Sequence, residues 1–308
     1  MKKIKLHSPG TVANLVCGFD ILGMALSAPY DIMELTLLDK PEIIITNKDA
    51  FNLPADPAKN VAGVVLMAVM EKLKHDAGFA ITIDKQIKPG SGIGSSAASA
   101  AGAAVGANYL LGNIFSADEV VQLAMIGEKL ASGVKHADNI APCILGGVSL
   151  IRSIQPLDIV AVPAPDLFVT VVHPQIEVRT SDARQILKQQ VLLKDAIRQW
   201  GNIAGLVAGF MKSDYDLIGR SLEDVIIEPV RSILIPGFDE VKAKCREAGA
   251  LGGGISGSGP SIFMLSREQN TACAVEAVMK EVYHKIGIDF NTYVTTINKK
   301  GVEIVGSE

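Results

Sequence analysis

The 308 residues of the chain, 48% hydrophobic and 20% charged, supply ample material for a buried core and enough length for two domains, which excludes a disordered or collagen-like chain. The 29 basic and 33 acidic residues give a net charge of −4, which excludes a large positive surface for nucleic acid or an anionic membrane and leaves only a local basic pocket for a small anion. The four cysteines lack CxxC spacing, so reduced thiols in a cytoplasmic protein are expected rather than disulfides or structural zinc.

The first half of the chain predicts one sheet and three helices. Segments of strand length that alternate or are apolar are 4–6, 31–38, 42–46 and 80–84. Residues 60–74 predict a largely buried helix that is capped by its first residue and ends in lysines. Residues 97–112, mostly Ala and Gly, are too short to span a membrane and predict a buried helix. Residues 116–131 predict a third helix, with a capping box from Ser116 to Glu119.

The proline-punctuated stretch 156–165 predicts a division into domains 1–160 and 161–308. Expected strands in and around the second half are 144–151, 167–173, 261–265 and 292–297. Expected helices are 181–190, 195–211, 236–248 and 269–286. Helices and strands interleave without a strict βαβ rhythm, so an α+β fold is predicted rather than α/β.

The segment 88–98, Lys-Pro-Gly-Ser-Gly-Ile-Gly-Ser-Ser-Ala-Ala, carries the strongest chemical signal. Its glycines allow tight curvature before a helix of small side chains, so backbone N–H groups and the positive helix end converge on one point, as a phosphate requires. No Lys follows the last glycine, which excludes a P-loop, and the glycine spacing does not fit a dinucleotide fold. A Gly/Ser turn before an ordinary helix is the alternative that spacing alone leaves open.

Three segments in order resemble the motifs of the GHMP small-molecule kinases. Residues 89–98 are similar to the central nucleotide-binding motif, 8–20 to the first motif and 252–261 to the third. Further segments resemble the branch of the family that phosphorylates L-homoserine: 13–23, 132–142, 180–184 and 227–231. The resemblance implies an N-terminal ATP-binding domain similar to ribosomal protein S5 domain 2, a ferredoxin-like C-terminal domain that contributes to the substrate site, and ATP at their interface.

On the nucleotide side, the resemblance assigns Asn60 to the adenine and one continuous run to the phosphates. That run is Pro89, Gly90, Ser91, Gly92, Ile93, Gly94, Ser95, Ser96, Ala97 and Ala98. Ser96 and Glu128 are implied ligands of Mg²⁺, which takes few protein oxygens and leaves its other positions to phosphate and water. From the residues alone, Asn60 is equally a helix cap, and Glu128 a solvated helix carboxylate.

On the acceptor side, each group of an amino-acid substrate has an implied counterpart. Asn14, Asp20 and Asp138 would hold the ammonium, and Arg184 and Arg231 would clamp the carboxylate with planar, bidentate geometry. Gly257 is implied to contact the substrate. The implied catalytic residues are Asn139, which would orient the attacking hydroxyl, and Asp138. Phosphoryl transfer has a loose transition state that needs alignment and charge neutralisation, so we expect no essential general base.

Two other functions use the same motifs: a kinase for another small alcohol such as mevalonate or shikimate, and a catalytically silent ligand sensor. Paired arginines and carboxylates favour a zwitterion, and the Ser96–Glu128 pair argues against a silent protein. His136 alone is a weak metal signal, His7, Ser8 and Asp20 lack the order of a nucleophile triad, and Trp200 is expected to pack. A homodimer is expected, with ATP and L-homoserine as partners and neither nucleic acid nor membrane.

Overall fold

Two β-sheets and the helices packed on them form the computed structural model, which describes residues 2–48, 50–73, 77–178 and 180–307. The strands are β1 (Lys3–Ala13), β2 (Leu22–Leu38), β3 (Ile43–Asn47), β4 (Gly78–Asp84), β5 (Val148–Ile154), β6 (Leu157–Val162), β7 (Phe168–Pro174), β8 (Gly252–Ile255), β9 (Ile262–Ser266), β10 (Phe290–Thr296) and β11 (Glu303–Ser307). The helices are α1 (Val61–Lys72), α2 (Ser95–Leu110), α3 (Ala117–Ser132), α4 (Ile140–Leu145), α5 (Thr180–Gln185), α6 (Leu193–Lys212), α7 (Tyr215–Ser221), α8 (Glu228–Arg231), α9 (Phe238–Glu247) and α10 (Gln269–Ile286). This arrangement confirms the predicted α+β class.

The long strand β2 organises the first sheet, whose central order is β11-β1-β2-β4-β3. Its later half pairs with β4, whereas Leu22, Gly23 and Met24 pair with β5. Strand β5 in turn pairs with β6. All these pairs are antiparallel except β3 with β4. Helices α1 to α4 bury their apolar residues against this sheet in one core.

The Ala-rich helix α2 lies directly on β2 because its glycines remove the side chains that would keep it away. A Cβ added at Gly102 would lie 2.3 Å from Met33 Sδ, and one at Gly106 would lie 2.8 Å from Leu35 Cδ2. This close packing fixes the position of the helix and therefore of the glycine-rich loop at its N-terminus.

The second sheet has the order β10-β7-β9-β8, with every pair antiparallel. Helices α9 and α10 pack on one face. The other face shares a core with the first sheet, in which Leu22 and Phe263 join Leu206 and Phe210 of α6. The two sheets therefore form one continuous body.

Several elements differ from prediction. Residues 144 and 145 end helix α4, so the strand expected over 144–151 begins only at Val148, after two glycines with φ of +77° and +66°. The helix expected over 181–190 ends at Gln185. Asn60 caps α1 as predicted, and Lys74, the predicted last residue of that helix, lies outside the described residues. Trp200, expected to pack, is 59% exposed.

The expected division at residue 160 stays a prediction. The first sheet runs through Val162 and also contains β11, so the last strand of the chain returns to the sheet of the first strand. The four cysteines are free thiols, as expected. None of the helices within the described ranges has the length and hydropathy needed to cross a membrane.

Candidate active site

A cavity of about 320 Å³ is lined by residues from both halves of the chain. Most of the residues assigned from the sequence lie in its wall: Asn14, Asp20, Asn60, Pro89, Gly90, Gly92, Gly94, Ser95, Ser96, Glu128, Asp138, Asn139, Arg184, Arg231 and Gly257. Ser91, Ile93, Ala97 and Ala98 are buried behind this wall and do not line the cavity. Only part of the run predicted to contact the phosphates, residues 89–98, therefore lines the cavity.

Glycines 90, 92 and 94 have φ of +75°, +83° and +73°, the left-handed region that other residues rarely adopt. The backbone carbonyl groups of residues 91, 92 and 93 accept hydrogen bonds from other parts of the protein. Ser261 Oγ donates to Ser91 O at 2.6 Å, Ser256 Oγ donates to Gly92 O at 2.7 Å, and Thr11 N donates to Ile93 O at 3.1 Å. The second and third motifs are thus bonded to each other. The first N–H groups of α2 have no partner within the helix, and its first two residues, Ser95 and Ser96, line the cavity at the helix end that favours an anion.

A buried lysine that sequence analysis missed lies under this loop. Lys85 Nζ donates to Ser95 O at 2.7 Å and to Ser99 Oγ at 3.1 Å, and it forms a buried ion pair with Asp31. Asp31 Oδ1 accepts the backbone N–H groups of residues 86 and 87, each at 3.0 Å. Lys85 also lines the cavity, so positive charge lies beside the first turn of α2.

Asn60 forms a helix cap and also lines the cavity. Its Oδ1 accepts from Ala62 N at 2.9 Å and Gly63 N at 3.3 Å, and its Nδ2 donates to Pro54 O at 2.7 Å. Pro54, Leu53 and Val61 add an apolar wall beside it. The cap interpretation is confirmed, and the adenine contact stays a prediction.

The hydroxyl of Ser96 and the carboxylate of Glu128 meet in the cavity wall, where Ser96 Oγ donates to Glu128 Oε2 at 2.9 Å. Glu128 is only 7% exposed, so the alternative of a solvated helix carboxylate is wrong. Two hard oxygen donors at one point fit a divalent cation that completes its coordination with phosphate and water. No cluster of three or more His, Cys, Asp or Glu side chains occurs in the part of the chain that the structure describes, which leaves His136 without metal partners.

Asp138 and Asn139 precede α4 and lie next to each other in the wall. Thr11 Oγ1 donates to Asn139 Oδ1 at 2.6 Å, so the oxygen of this cavity-lining amide is engaged and its NH₂ group is the part that can act as a donor. Asp138 is almost fully buried and accepts from Asn139 N at 3.2 Å. Burial, with the neighbouring charges of Asp20 and Glu128, raises the pKa of Asp138 to about 7. A cation placed beside Asp138 would relieve this cost.

Two guanidinium groups lie over one aromatic ring. The Arg231 and Arg184 Cζ atoms are 4.9 and 5.5 Å from the centre of the Phe19 ring. Arg231 is buried and donates to Ala183 O and Gly257 O at 2.9 and 3.2 Å, and burial together with Arg184 lowers its pKa to about 10. Arg184 Nε is buried and has no hydrogen-bond partner within the described part of the chain. Two close cations with a spare N–H favour an anionic group.

Asp20 pairs with Arg184 at 2.8 Å, so two side chains assigned to opposite ends of the acceptor neutralise each other in this structure. Arg184 Nη2 also donates to His136 Nε2 at 2.9 Å, which requires a neutral ring, and burial lowers the pKa of His136. Asn14 Nδ2 donates to Gly257 O at 2.8 Å, and Asp20 N donates to Asn14 Oδ1 at 3.0 Å. Phe19 and His136 thus lie in the cavity wall beside the residues assigned to the acceptor. The sequence singled out His136 only as a weak metal signal and did not single out Phe19.

Comparison with known proteins identifies the class. The family model "GHMP kinases N terminal domain" matches residues 60–147, and "GHMP kinases C terminal" matches residues 206–285. A homoserine kinase of Chloroherpeton thalassium is 44% identical over 99% of this chain and 100% of its own, and one of Chlorobium phaeobacteroides is 43% identical over the same shares. The crystal structure of homoserine kinase from Cytophaga hutchinsonii is 47% identical, covers 98% of this chain and 97% of its own, and superposes with a TM-score of 0.94.

Fold and cavity thus define a phosphotransferase for small molecules that uses ATP. The chain belongs to the GHMP kinase family, in the branch that contains the homoserine kinases.

Proposed function

We propose that this chain transfers the γ-phosphoryl group of ATP to the side-chain hydroxyl of L-homoserine, which gives O-phospho-L-homoserine and ADP in threonine biosynthesis. One observation carries the proposal. A single cavity joins the glycine-rich loop to a buried carboxylate and two guanidinium groups, in a chain that matches homoserine kinases along its whole length. The acceptor end thus offers one negative and one positive region, which suits a zwitterion.

The nucleotide binds with its phosphates at the N-terminus of α2 and its base near Asn60 and the apolar wall beside it. Ser96 and Glu128 would hold Mg²⁺, which supplies charge neutralisation on the phosphates when bound. The hydrogen bonds from Ser256 and Ser261 keep loop carbonyls away from the phosphate position, so the loop presents donors rather than acceptors.

The acceptor binds with its ammonium at Asp138, Asp20 and Asn14 and its carboxylate between Arg184 and Arg231. Because Asp20 is bonded to Arg184 in this structure, the acceptor exchanges its own charges for that ion pair. After the exchange, Asp20 lies beside the ammonium of the acceptor and Arg184 beside its carboxylate, so each side chain still has an opposite charge next to it.

Asn139 donates from its NH₂ group to the acceptor oxygen and so aligns the hydroxyl with the γ-phosphorus. Thr11 fixes the amide for this role. A loose transition state needs alignment and neutralised charge more than proton abstraction. The hydroxyl proton therefore passes to solvent water, without an essential side-chain base, as the O–P bond forms and ADP leaves. Asp138, engaged with the ammonium, serves binding first.

Coupled ADP release tests the acceptor, with L-homoserine beside L-serine, mevalonate and shikimate at matched concentrations. We expect kcat/KM for L-homoserine to exceed that for the others by about 100-fold or more, because they lack the ammonium or the reach of the hydroxyl. Higher turnover with mevalonate or shikimate would overturn the proposal. Acceptor-induced thermal shifts without ADP formation would instead support a silent sensor.

The expected homodimer and the cytoplasmic location stay predictions. Sedimentation velocity of the purified chain, without and with ATP and L-homoserine, tests the first. Fractionation of cells that express the chain tests the second.

A further inference from the structure

Two buried polar side chains away from the cavity link the structures that carry the acceptor ligands. Gln199 of α6 is 5% exposed, and Asp224, in the segment before α8, is 7% exposed. Gln199 Nε2 donates to Asp224 Oδ1 at 2.9 Å. Neither residue lines the cavity, so neither contacts the acceptor directly.

On one side, this pair holds the loop between β1 and β2. Gln199 Nε2 also donates to Cys17 O at 2.8 Å. The loop has left-handed φ values at Asn14 (71°), Leu15 (41°), Val16 (67°) and Asp20 (61°), and such a conformation in residues other than glycine persists only when surrounding contacts impose it. The loop presents Phe19 and Asp20 to the cavity, so a contact that holds Cys17 also sets their positions.

On the other side, the pair fixes the start of α8, which ends at Arg231. Gln199 Oε1 accepts from Val225 N at 3.0 Å, and Asp224 Oδ1 accepts from Ile226 N and Ile227 N at 2.8 and 3.0 Å. Asp224 Oδ2 accepts from Glu228 N at 2.9 Å. Every polar atom of this pair thus bonds to backbone groups of the loop or of the turn, or to its partner.

We propose that Gln199 and Asp224 are positioning residues that hold Phe19 and Asp20 in register with Arg231 and thereby set the affinity for the acceptor's amino-acid head group. The inference rests on the proposed function, which supplies L-homoserine as the acceptor. The nucleotide loop is bonded to other residues, so the affinity for ATP does not depend on this pair.

The test uses Gln199→Met, which keeps length and volume but removes every hydrogen bond, and Asp224→Asn, which turns Oδ2 into a donor that faces Glu228 N. Both should raise the KM for L-homoserine about tenfold and leave the KM for ATP within about twofold. Hydrogen–deuterium exchange should increase in peptides that cover residues 14–21 and 225–231.

Asp214→Ala is the control for a loss of stability alone, because Asp214 caps α7 by accepting from Leu217 N at 2.9 Å and does not line the cavity. It should lower Tm without moving either KM or the exchange of residues 14–21. Test variants that only lose stability, with an unchanged KM for L-homoserine, overturn the inference. If the wild-type chain does not phosphorylate L-homoserine, the proposed function fails, and unchanged exchange in both segments of the variants would separately refute the link between them.

Discussion

The carboxyl group of Asp138 has a pKa near neutral pH. Burial is the main cause, and Asp20 and Glu128 add to it. An ammonium that arrives beside Asp138 favours its ionised form and lowers the pKa again. Acceptor binding is therefore coupled to loss of a proton from Asp138 when the solution is below about pH 7.

This coupling predicts the pH dependence of acceptor affinity. The KM for L-homoserine should rise as pH falls through about 7, by up to about tenfold per unit, because Asp138 becomes neutral. In Asp138→Asn the KM should be at least about tenfold higher at pH 8 and independent of pH, with the KM for ATP unchanged. Steady-state kinetics from pH 5.5 to about 8.5 check both. Loss of turnover with an unchanged KM would instead make Asp138 a general base.

The same substitution predicts a gain in stability. The folded pKa of about 7 lies above the ordinary value of 3.8, so the folded carboxyl keeps its proton where the unfolded one has lost it, and stability falls as pH rises between these values. Without acceptor, Asp138→Asn should therefore raise Tm relative to the wild type above pH 7 and show a smaller gain near pH 4. Thermal unfolding across this range checks the sign, and a variant that is less stable at pH 8 would contradict it.

A substitution of Glu128 tests the proposed metal site. Glu128→Gln keeps the shape but removes a charge from the Ser96 contact, so Mg-dependent kcat/KM should fall about 100-fold or more. Glu119→Gln on the same helix is the control, because it keeps the capping box with Ser116 and should leave turnover unchanged. Unchanged kcat/KM in Glu128→Gln would remove this residue from the metal site.

At the scale of elements, helix α2 has a left-handed glycine at each end. Gly94 has φ of +73°, and an added Cβ would lie 2.0 Å from Thr11 Oγ1. Gly112 has φ of +85°, and, apart from its chain neighbours, no described residue has an atom within 4 Å of an added Cβ. A side chain at either glycine would therefore strain the backbone to a similar extent. Only at Gly94, next to the nucleotide loop, would it also collide with a neighbouring residue.

Alanine substitutions at the two ends separate these effects. Gly112→Ala should lower stability by about 1 kcal/mol and leave kinetics unchanged. Gly94→Ala should lower stability more and raise the KM for ATP about tenfold, because Thr11, whose backbone N–H donates to Ile93 O of the nucleotide loop, must move. Denaturant unfolding and steady-state kinetics on both variants check this. Equal effects of the two substitutions would show that the loop tolerates displacement.

Local patterns predicted the elements that local sequence determines. The glycine spacing before α2, the capping box of α3 and the cap at Asn60 each depend on neighbours within a few residues. Contacts between distant segments gave no such signal: Thr11 and Asn139 are 128 positions apart, and Gln199 and Cys17 are 182 apart. The direction in which the nucleotide loop turns also depends on distant residues, namely Thr11, Ser256 and Ser261. The sequence therefore did not show which residues of the predicted run face the interior: Ser91, Ile93, Ala97 and Ala98.

At the scale of the whole molecule, hydrogen bonds from the third motif (residues 252–261) hold the second motif (residues 89–98) in place. Ser261 immediately precedes β9 and is buried, and its hydroxyl holds Ser91 O from the other half of the chain. Ser266, at the end of the same strand, is also buried, but its hydroxyl has no partner among the described residues. The two serines differ in hydrogen bonding while their burial is alike.

Ser261→Ala should therefore raise the KM for ATP several-fold, about three- to tenfold, although Ser261 does not line the cavity. The reason is that Ser91 O loses the shorter of its two hydrogen bonds from residue 261 and keeps only the one from the backbone N–H, at 3.2 Å, so the loop shifts. Ser266→Ala removes a buried hydroxyl that makes no bond and should leave the KM unchanged with equal or higher Tm. Kinetics and thermal unfolding of both variants check the pair. An unchanged KM for ATP in Ser261→Ala would show that the nucleotide loop holds its shape without the Ser261 hydroxyl.

Strands β1 and β11 are neighbours in one sheet, with Ile4 opposite Ser307. The backbone at these two positions is separated by the spacing of adjacent antiparallel strands, about 5 Å. We therefore expect a short peptide linker between residues 2 and 307 to close this part of the chain into a ring, where none of the residues that line the cavity lies. Cutting such a ring in the exposed turn at Gln155 would yield a circular permutant with the same three-dimensional arrangement and new termini.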